Sequence, residues 1–385
     1  PAPVPGPRSS TTTSWRRPQV ELRGPDASFS TPAIRSYGAP ATFTQLLAAS
    51  GRAYPLDLGE PGYGRESFLM TPRTSETPTA MMIDGVLPMT SLLTGANIAN
   101  YFPLDAFSAI TLGSGAYGAS HAGAAEAGSD LSEFSIERLR TPVPYSRLHY
   151  TQDLTRSASN FDGLFSVNPS TSTNVTLGLW RRATGHAPTP YDESFNPRTD
   201  LWGARGQMSY SHYMGALPAL GDTAASARFI DSMLNAPSAK EHSLDLLIWG
   251  NYVTAFSGLG GGVLSIDSID IFNAQLAPQA DQSTFDHRTR ADLLGELELP
   301  LLAATRTKVA AFYSAESRRI LSRDTTFPAI VPDLQSGSRA GLTLEQPLGV
   351  RFGELSTRAV LRGDLLRVTR DPQFVGLAGS TDTRV

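Results

Sequence analysis

The chain has 385 residues, a formal net charge of -4, 40% hydrophobic residues and only 18% charged ones. That balance excludes a disordered polyelectrolyte, and a sequence pI near 5.9 removes any global case for nucleic-acid binding. With no cysteine, disulfides, thiolate metal sites and cysteine catalysis are excluded too, and 34 Gly with 28 Pro argue against a long helical or coiled-coil protein.

The chain opens Pro1-Ala2-Pro3 without Met or an apolar stretch, so if the protein is exported its signal peptide is expected to be already removed. Residues 1–40 read as a flexible arm, rich in Ser, Thr and Pro and without a sustained period. A smaller unit is expected over 41–140. In it Gln45-Leu46-Leu47-Ala48-Ala49 reads as a short helix, and Ala80-Met81-Met82-Ile83 as a strand. Asp84-Gly85 closes that strand as a turn, because Gly reaches positive φ at no steric cost and Asp bonds its own backbone. Residues 92–101 read as a loop or short helix, and Ala109-Ile110-Thr111-Leu112 as a second strand.

From about residue 143 the pattern has period 2, the mark of strands with one apolar and one polar face. Arg147 and His149 alternate with Leu148 and Tyr150; Val175, Leu177 and Leu179 oppose Asn174 and Thr176. Trp202, Ala204 and Met208 oppose Arg205 and Gln207, and Leu293, Leu297 and Leu299 oppose Asp292, Glu296 and Glu298. Leu355, Ala359, Leu361 and Leu365 oppose Glu354, Arg358, Arg362 and Asp364. One helix, over 222–234, interrupts this scheme.

Two environments produce such strands: a β-sandwich with one wet face, and a membrane barrel with its apolar face in lipid. No run of about 18 apolar residues is present for a transmembrane helix, but a membrane strand needs only about 9–11 alternating residues. Long strand candidates, mixed charges on the polar faces and aromatics near strand ends favour the barrel. Those aromatics are Tyr145, Tyr150, Trp180, Trp202, Tyr210, Tyr213, Trp249, Tyr252 and Phe256. The inner lining is then expected to include Arg147, His149, Arg205, Gln207, Glu296, Glu298, Glu354, Arg358 and Arg362, with the arginines a candidate strip for anionic solutes.

Met82-Ile83-Asp84-Gly85-Val86, Phe102-Pro103-Leu104-Asp105, Ala109 to Gly113 and Ala116-Tyr117-Gly118 together resemble the plug domain of TonB-dependent outer-membrane receptors. The stretch from Pro144-Tyr145-Ser146-Arg147 to Arg181-Arg182 is similar to the first hairpins of related outer-membrane porins. The resemblance implies a transmembrane antiparallel β-barrel over 141–385 with an N-terminal plug carrying Asp84, Gly85, Pro103, Leu104, Asp105, Gly113, Tyr117 and Gly118. It further implies a bacterial outer-membrane location, membrane lipid as surroundings and a periplasmic energy-coupling or envelope-assembly partner. The family's closing plug strand, Gly-Gly-Val-Ile-Asn, is missing, and no TonB box stands in residues 1–40. With about 20–25 residues per strand and connection, 141–385 holds on the order of 10–12 strands. The end Asp382-Thr383-Arg384-Val385 lacks the terminal aromatic of such barrels, so the chain is expected to be the front part of a longer barrel, or one closed by partner strands.

Chemistry is not legible elsewhere. Gly113-Ser114-Gly115-Ala116-Tyr117-Gly118 matches G-x-G-x-x-G, but no following strand places an acid for a ribose. No two of the six histidines stand at metal-ligand spacing. Asp281, Asp286 and Asp292, or Glu296 and Glu298, read as a solvated face rather than as paired catalytic acids. No enzyme activity, metal or cofactor is expected. The leading expectation is passive or gated solute passage; a structural envelope component and a soluble carbohydrate-binding sandwich are the alternatives.

Overall fold

A computed structural model describes residues 21–23, 26–36, 42–50, 54–58, 66–70, 80–95, 97–114, 130–139, 143–153, 158–184, 199–213, 243–258, 285–302, 305–321, 334–352, 355–371 and 380–384. The expected helix over 222–234, together with Tyr117, Gly118, Asp281 and Glu354, lies outside these residues.

The smaller unit is built on a six-stranded sheet. It contains β1 (Glu21–Arg23), β2 (Asp26–Ser30), β5 (Ala80–Ile83), β6 (Leu87–Pro88), β7 (Phe107–Ser114) and β8 (Asp130–Ile136), in the order β1-β2-β7-β8-β5-β6. The hairpin β3 (Tyr54–Leu58) and β4 (Glu66–Met70) stands apart from it. Two helices, α1 (Thr31–Ser36) and α2 (Phe43–Ser50), accompany the sheet, with single 3-10 turns at Ala99–Tyr101 and Leu104–Ala106. Phe43 and Phe107 meet Phe134 edge-on, with ring centroids 4.8 and 5.1 Å away, and these rings are fully buried.

Here the structure corrects two expectations. Within the arm expected over 1–40, the described residues 26–30 form β2, which pairs with β7 from Ala27↔Leu112 to Ser30↔Ala109, because Phe29 alternates into the core between polar neighbours; residues 1–20 lie outside the described residues. The closing strand expected to be missing is supplied by β8: Phe134 and Ile136 face inward, and β8 runs parallel to β5 and antiparallel to β7.

The second unit is one antiparallel sheet of ten strands. These are β9 (Tyr145–Asp153), β10 (Ala158–Val167), β11 (Thr173–Thr184), β12 (Thr199–Tyr213), β13 (Ser243–Gly258), β14 (Phe285–Leu302), β15 (Thr305–Leu321), β16 (Leu334–Phe352), β17 (Leu355–Asp371) and β18 (Ser380–Arg384). Each pairs with its sequence neighbour, and β9 and β18 stand at the two ends of the sheet order. Up-and-down connection of this kind is the topology of a membrane barrel wall.

The two faces of this wall are inverted relative to a water-soluble protein. Leu148 (72% exposed), Leu179 (61%) and Leu361 (71%) point outward, while Arg182, Arg288, Arg290, Asp292, Glu296 and Glu316 are buried on the other face. Along β14 every second residue from Asp286 to Glu296 is buried and the intervening ones are not. A soluble sandwich would put those leucines between two sheets; here they cover the outer surface, so that alternative falls. Hydrocarbon is the solvent in which such a surface costs nothing, and strand-to-strand pairing satisfies the backbone there.

The parity rule also corrects the aromatic set. Trp202 and Tyr252 do lie together on the outer face, ring centroids 5.9 Å apart. Trp180 and Trp249, expected among the interfacial aromatics, are instead buried inside. They share the parity of Asn174 and Thr176, and of Leu247 and Asn251, so the strand turns them to the interior. Trp180 fits there because Gly203 lies beneath it: a Cβ at that glycine would stand 2.5 Å from the indole.

Candidate functional site

The inner face of the wall and the smaller unit meet over residues 82–106 and 136–138, through many polar contacts beside a buried apolar cluster that both share. The local origin is the turn after β5. Asp84 (φ 48) and Gly85 (φ 69) both take the left-handed region, as a tight hairpin turn requires, and Val86 N donates to Ile83 O at 2.9 Å. Asp84 N donates to Phe134 O, and its own Oδ1 accepts from Ile136 N, both at 2.9 Å, so one residue ties β5 to the end of β8. The carboxyl Oδ2 is shut from solvent without a hydrogen-bond partner, although the residue as a whole is half-buried. Burial, with Glu296 adding repulsion, pushes this carboxyl up to about 7, against the pull of Lys308.

Wall side chains grip the main chain beyond this turn. Lys308 of β15 donates to Asp84 O at 2.9 Å and pairs with Glu296 at 2.9 Å; Arg138, just after β8, pairs with the same Glu296 at 2.9 Å. Arg362 of β17 donates to Val86 O at 3.2 Å. Arg290 of β14 donates to Pro88 O at 3.0 Å and Thr90 O at 2.7 Å while held by Asp292 and Glu316. Glu316 of β15 in turn accepts from Ser91 Oγ and from Leu92 N, each at 2.7 Å. Arg290 and Glu316 therefore clamp both polarities of the strand end at 88–92, with side chains shut from solvent. Leu92 and Leu93 pack over Gly337 of β16, where an added Cβ would meet Leu92 Cβ at 3.0 Å.

A second group of contacts holds the 3-10 turns. Arg182 of β11 donates to Asn100 O at 2.6 Å. Phe102 stacks on Trp249, centroids 6.1 Å apart, an apolar contact between plug and wall. Pro103, at φ -71 and ψ 136, leads into Leu104–Ala106 and presents Asp105 to Arg147 of β9 and Arg205 of β12. Gln207 donates to Glu137 O at 3.0 Å.

Of the sequence-selected lining residues, the structure thus brings Arg147, Arg205, Gln207, Glu296 and Arg362 against the smaller unit. Glu298 pairs with Arg306 at 3.2 Å and faces Arg138 at 3.9 Å. His149 is half-buried on β9, on the parity of Arg147. Arg358 lies on β17, and Gly113 pairs with Leu131 inside the sheet rather than opening a nucleotide loop. Asp286 and Asp292 are tied to Arg288, Arg318 and Arg290, which leaves neither as a catalytic acid. Arg290, Lys308 and Glu316 escaped sequence reading, and Arg182 entered it only through the resemblance and not as a lining residue, although parity along their strands turns all four inward. Among the described residues no group of three or more His, Asp or Glu is arranged to hold a metal.

No protein-family model matches the sequence, and no curated protein matches it. Solved structures do match its fold. The Pseudomonas aeruginosa ferric enterobactin receptor PfeA in complex with BCV-L6 superposes with a TM-score of 0.58 at 10% identity, over 94% of this chain and 54% of its own. The Serratia marcescens hemophore receptor HasR gives 0.58 at 11% identity, over 94% and 46%. The closed form of the ferric-catecholate import receptor Fiu from Escherichia coli K12 gives 0.57 at 12% identity, over 91% and 48%. The chain spans about half the length of these structures. The smaller unit lodged against a polar inner wall, the lipid-type outer face and these superpositions together give the chain the plug-and-barrel fold of the TonB-dependent receptors.

Proposed function

We propose that the chain belongs to a bacterial outer-membrane barrel that passes solutes when its plug gives way. One observation carries the reading: the plug is held to the wall by hydrogen bonds and ion pairs from Lys308, Arg362, Arg290, Glu316, Arg182 and Arg205, beside apolar contacts such as Phe102 on Trp249. Polar grips exchange for water more readily than apolar contacts do, so this set fixes the plug at rest and supports its release without unfolding of the wall. Among the solved structures of this fold are a ferric-catecholate import receptor and a hemophore receptor in complex with its hemophore and heme, which supports import as the direction. Membrane lipid surrounds the wall, and a periplasmic energy-coupling protein is the partner that would pull the plug.

The test is conductance of the full-length protein in planar bilayers. Native protein is expected to stay nearly closed, and moderate urea, which releases the plug before the wall, to open it reversibly. A protein that stays closed once its plug is released, or that needs no detergent to remain in solution, would refute the reading.

A further inference from the structure

The inner wall changes character between two neighbouring strands. On β14 the inward residues from Asp286 to Glu296 are buried, and all but Leu294 are charged. On β13 the inward residues from Leu247 to Ser257 are buried too, and none of them is ionisable. Trp249 gives one indole face to Phe102 of the plug, the rings inclined by 28°. Asn251 stands two residues further along the same side of β13 and is 4% exposed. Neither its Oδ1 nor its Nδ2 has a hydrogen-bond partner among the described residues. The indole Nε1 of Trp249 and the Oγ of Ser209 on β12 are likewise buried without one. Gln207, directly across from Trp249, donates its amide N–H to Glu137 O of the plug. The charged neighbours of Asn251 are engaged elsewhere: Arg205 pairs with Asp105 and faces Asp162 and Glu137, and Asp292 is held by Arg290 and Ser314.

A buried amide left unbonded destabilises the closed state, and leucine in the same place would not. The Asn251 amide offers an acceptor and two donors, the indole a donor, and Ser209 a hydroxyl that serves as either, all without net charge. A ligand that satisfies this set carries several hydroxyls and no ionised group. The indole adds a flat apolar face, negative in its quadrupole, which attracts the C–H side of a saturated ring. When the plug withdraws, that face and the Gln207 amide are both uncovered. We propose that the inner face of β12 and β13 around Trp249 and Asn251 is a binding site for a neutral, hydroxyl-rich solute, a saccharide, and that Phe102 of the plug covers its stacking face in the closed state. This deepens the proposed gate and rests on the plug giving way, but the binding is measured apart from transport.

The experiment follows plug release by urea in the full-length protein in detergent, read by tryptophan fluorescence. Maltotriose is the probe, and trigalacturonate at equal ionic strength is its charged counterpart. A ligand of the covered face binds the released state alone. With a dissociation constant on the order of 1 mM, about 20 mM maltotriose should therefore shift the closed-to-released equilibrium about twentyfold toward release. Trigalacturonate should leave it unmoved. Asn251→Leu should hold its plug at least as well as the wild type and bind maltotriose about tenfold more weakly. If that variant fails to fold, the fluorescence of the released wild type is titrated directly: it should saturate with maltotriose in the same range and not respond to trigalacturonate. No response of the wild type to maltotriose, an equal response to trigalacturonate, or an undiminished shift in N251L overturns the site. A maltotriose shift in a protein that never conducts would keep the site and refute the gate.

Discussion

Replacing Asp84 by Asn should abolish a pH dependence that the plug turn builds into the closed state. In the folded chain this carboxyl titrates at about 7, against 3.8 when unburied. The native state therefore binds the proton more tightly than the unfolded one. The resulting stability is fully present below about pH 4 and is lost as pH rises through 7. Between pH 6 and pH 8 the two values give a change in the closed-to-released equilibrium of about tenfold, on the order of 1 kcal/mol. Asn suits the left-handed conformation at this position and can still accept from Ile136 N, so the turn survives. Urea titrations in detergent at pH 6 and pH 8, followed by tryptophan fluorescence, read the difference, because Trp180 and Trp249 lie at the plug and wall. The wild-type plug should release at lower urea at pH 8, and Asp84→Asn should release at the same urea at both. A wild type equally stable at the two values, or more stable at pH 8, would refute the assignment of this carboxyl as the buried proton site.

Glu316→Gln should loosen the plug by about 2–5 kcal/mol, since it leaves buried Arg290 with Asp292 alone and weakens the cap on Leu92 N. Hydrogen exchange should then rise at 88–93 before the rest of the plug, and unchanged protection at Leu92 would remove the clamp from the account. Leu361→Arg, on the outermost apolar row, should cost up to about 2–4 kcal/mol in refolding into lipid vesicles. No cost in vesicles would mean that this face meets water.

Much of this architecture was legible in the residues, and the exceptions have a common cause. Alternation showed that β11, β12, β14 and β17 have one apolar and one polar face, since the pleat alone produces a period of two. Asp84-Gly85 announced its turn, because few residue pairs tolerate positive φ twice. The strand β8 was missed for lack of a glycine signature, and β2 because a five-residue strand in a Ser-rich stretch has too short a period to stand out. Trp180 and Trp249 were misplaced because closeness to a strand end was weighed above parity.

What the sequence determined by itself is local: which residues share a face, where the chain reverses, and that none of its apolar runs is long enough for a helix to cross a bilayer. Which face looks outward was a matter for the tertiary structure, since the pleat treats both sides alike until one meets hydrocarbon and the other a plug. The same holds for the site. Glu316 meets Ser91 across 225 positions and Arg290 meets Pro88 across 202. The atoms gripped are largely main-chain carbonyls, a group that nearly every residue carries, and only the register of ten strands around one inserted turn selects which of them are held.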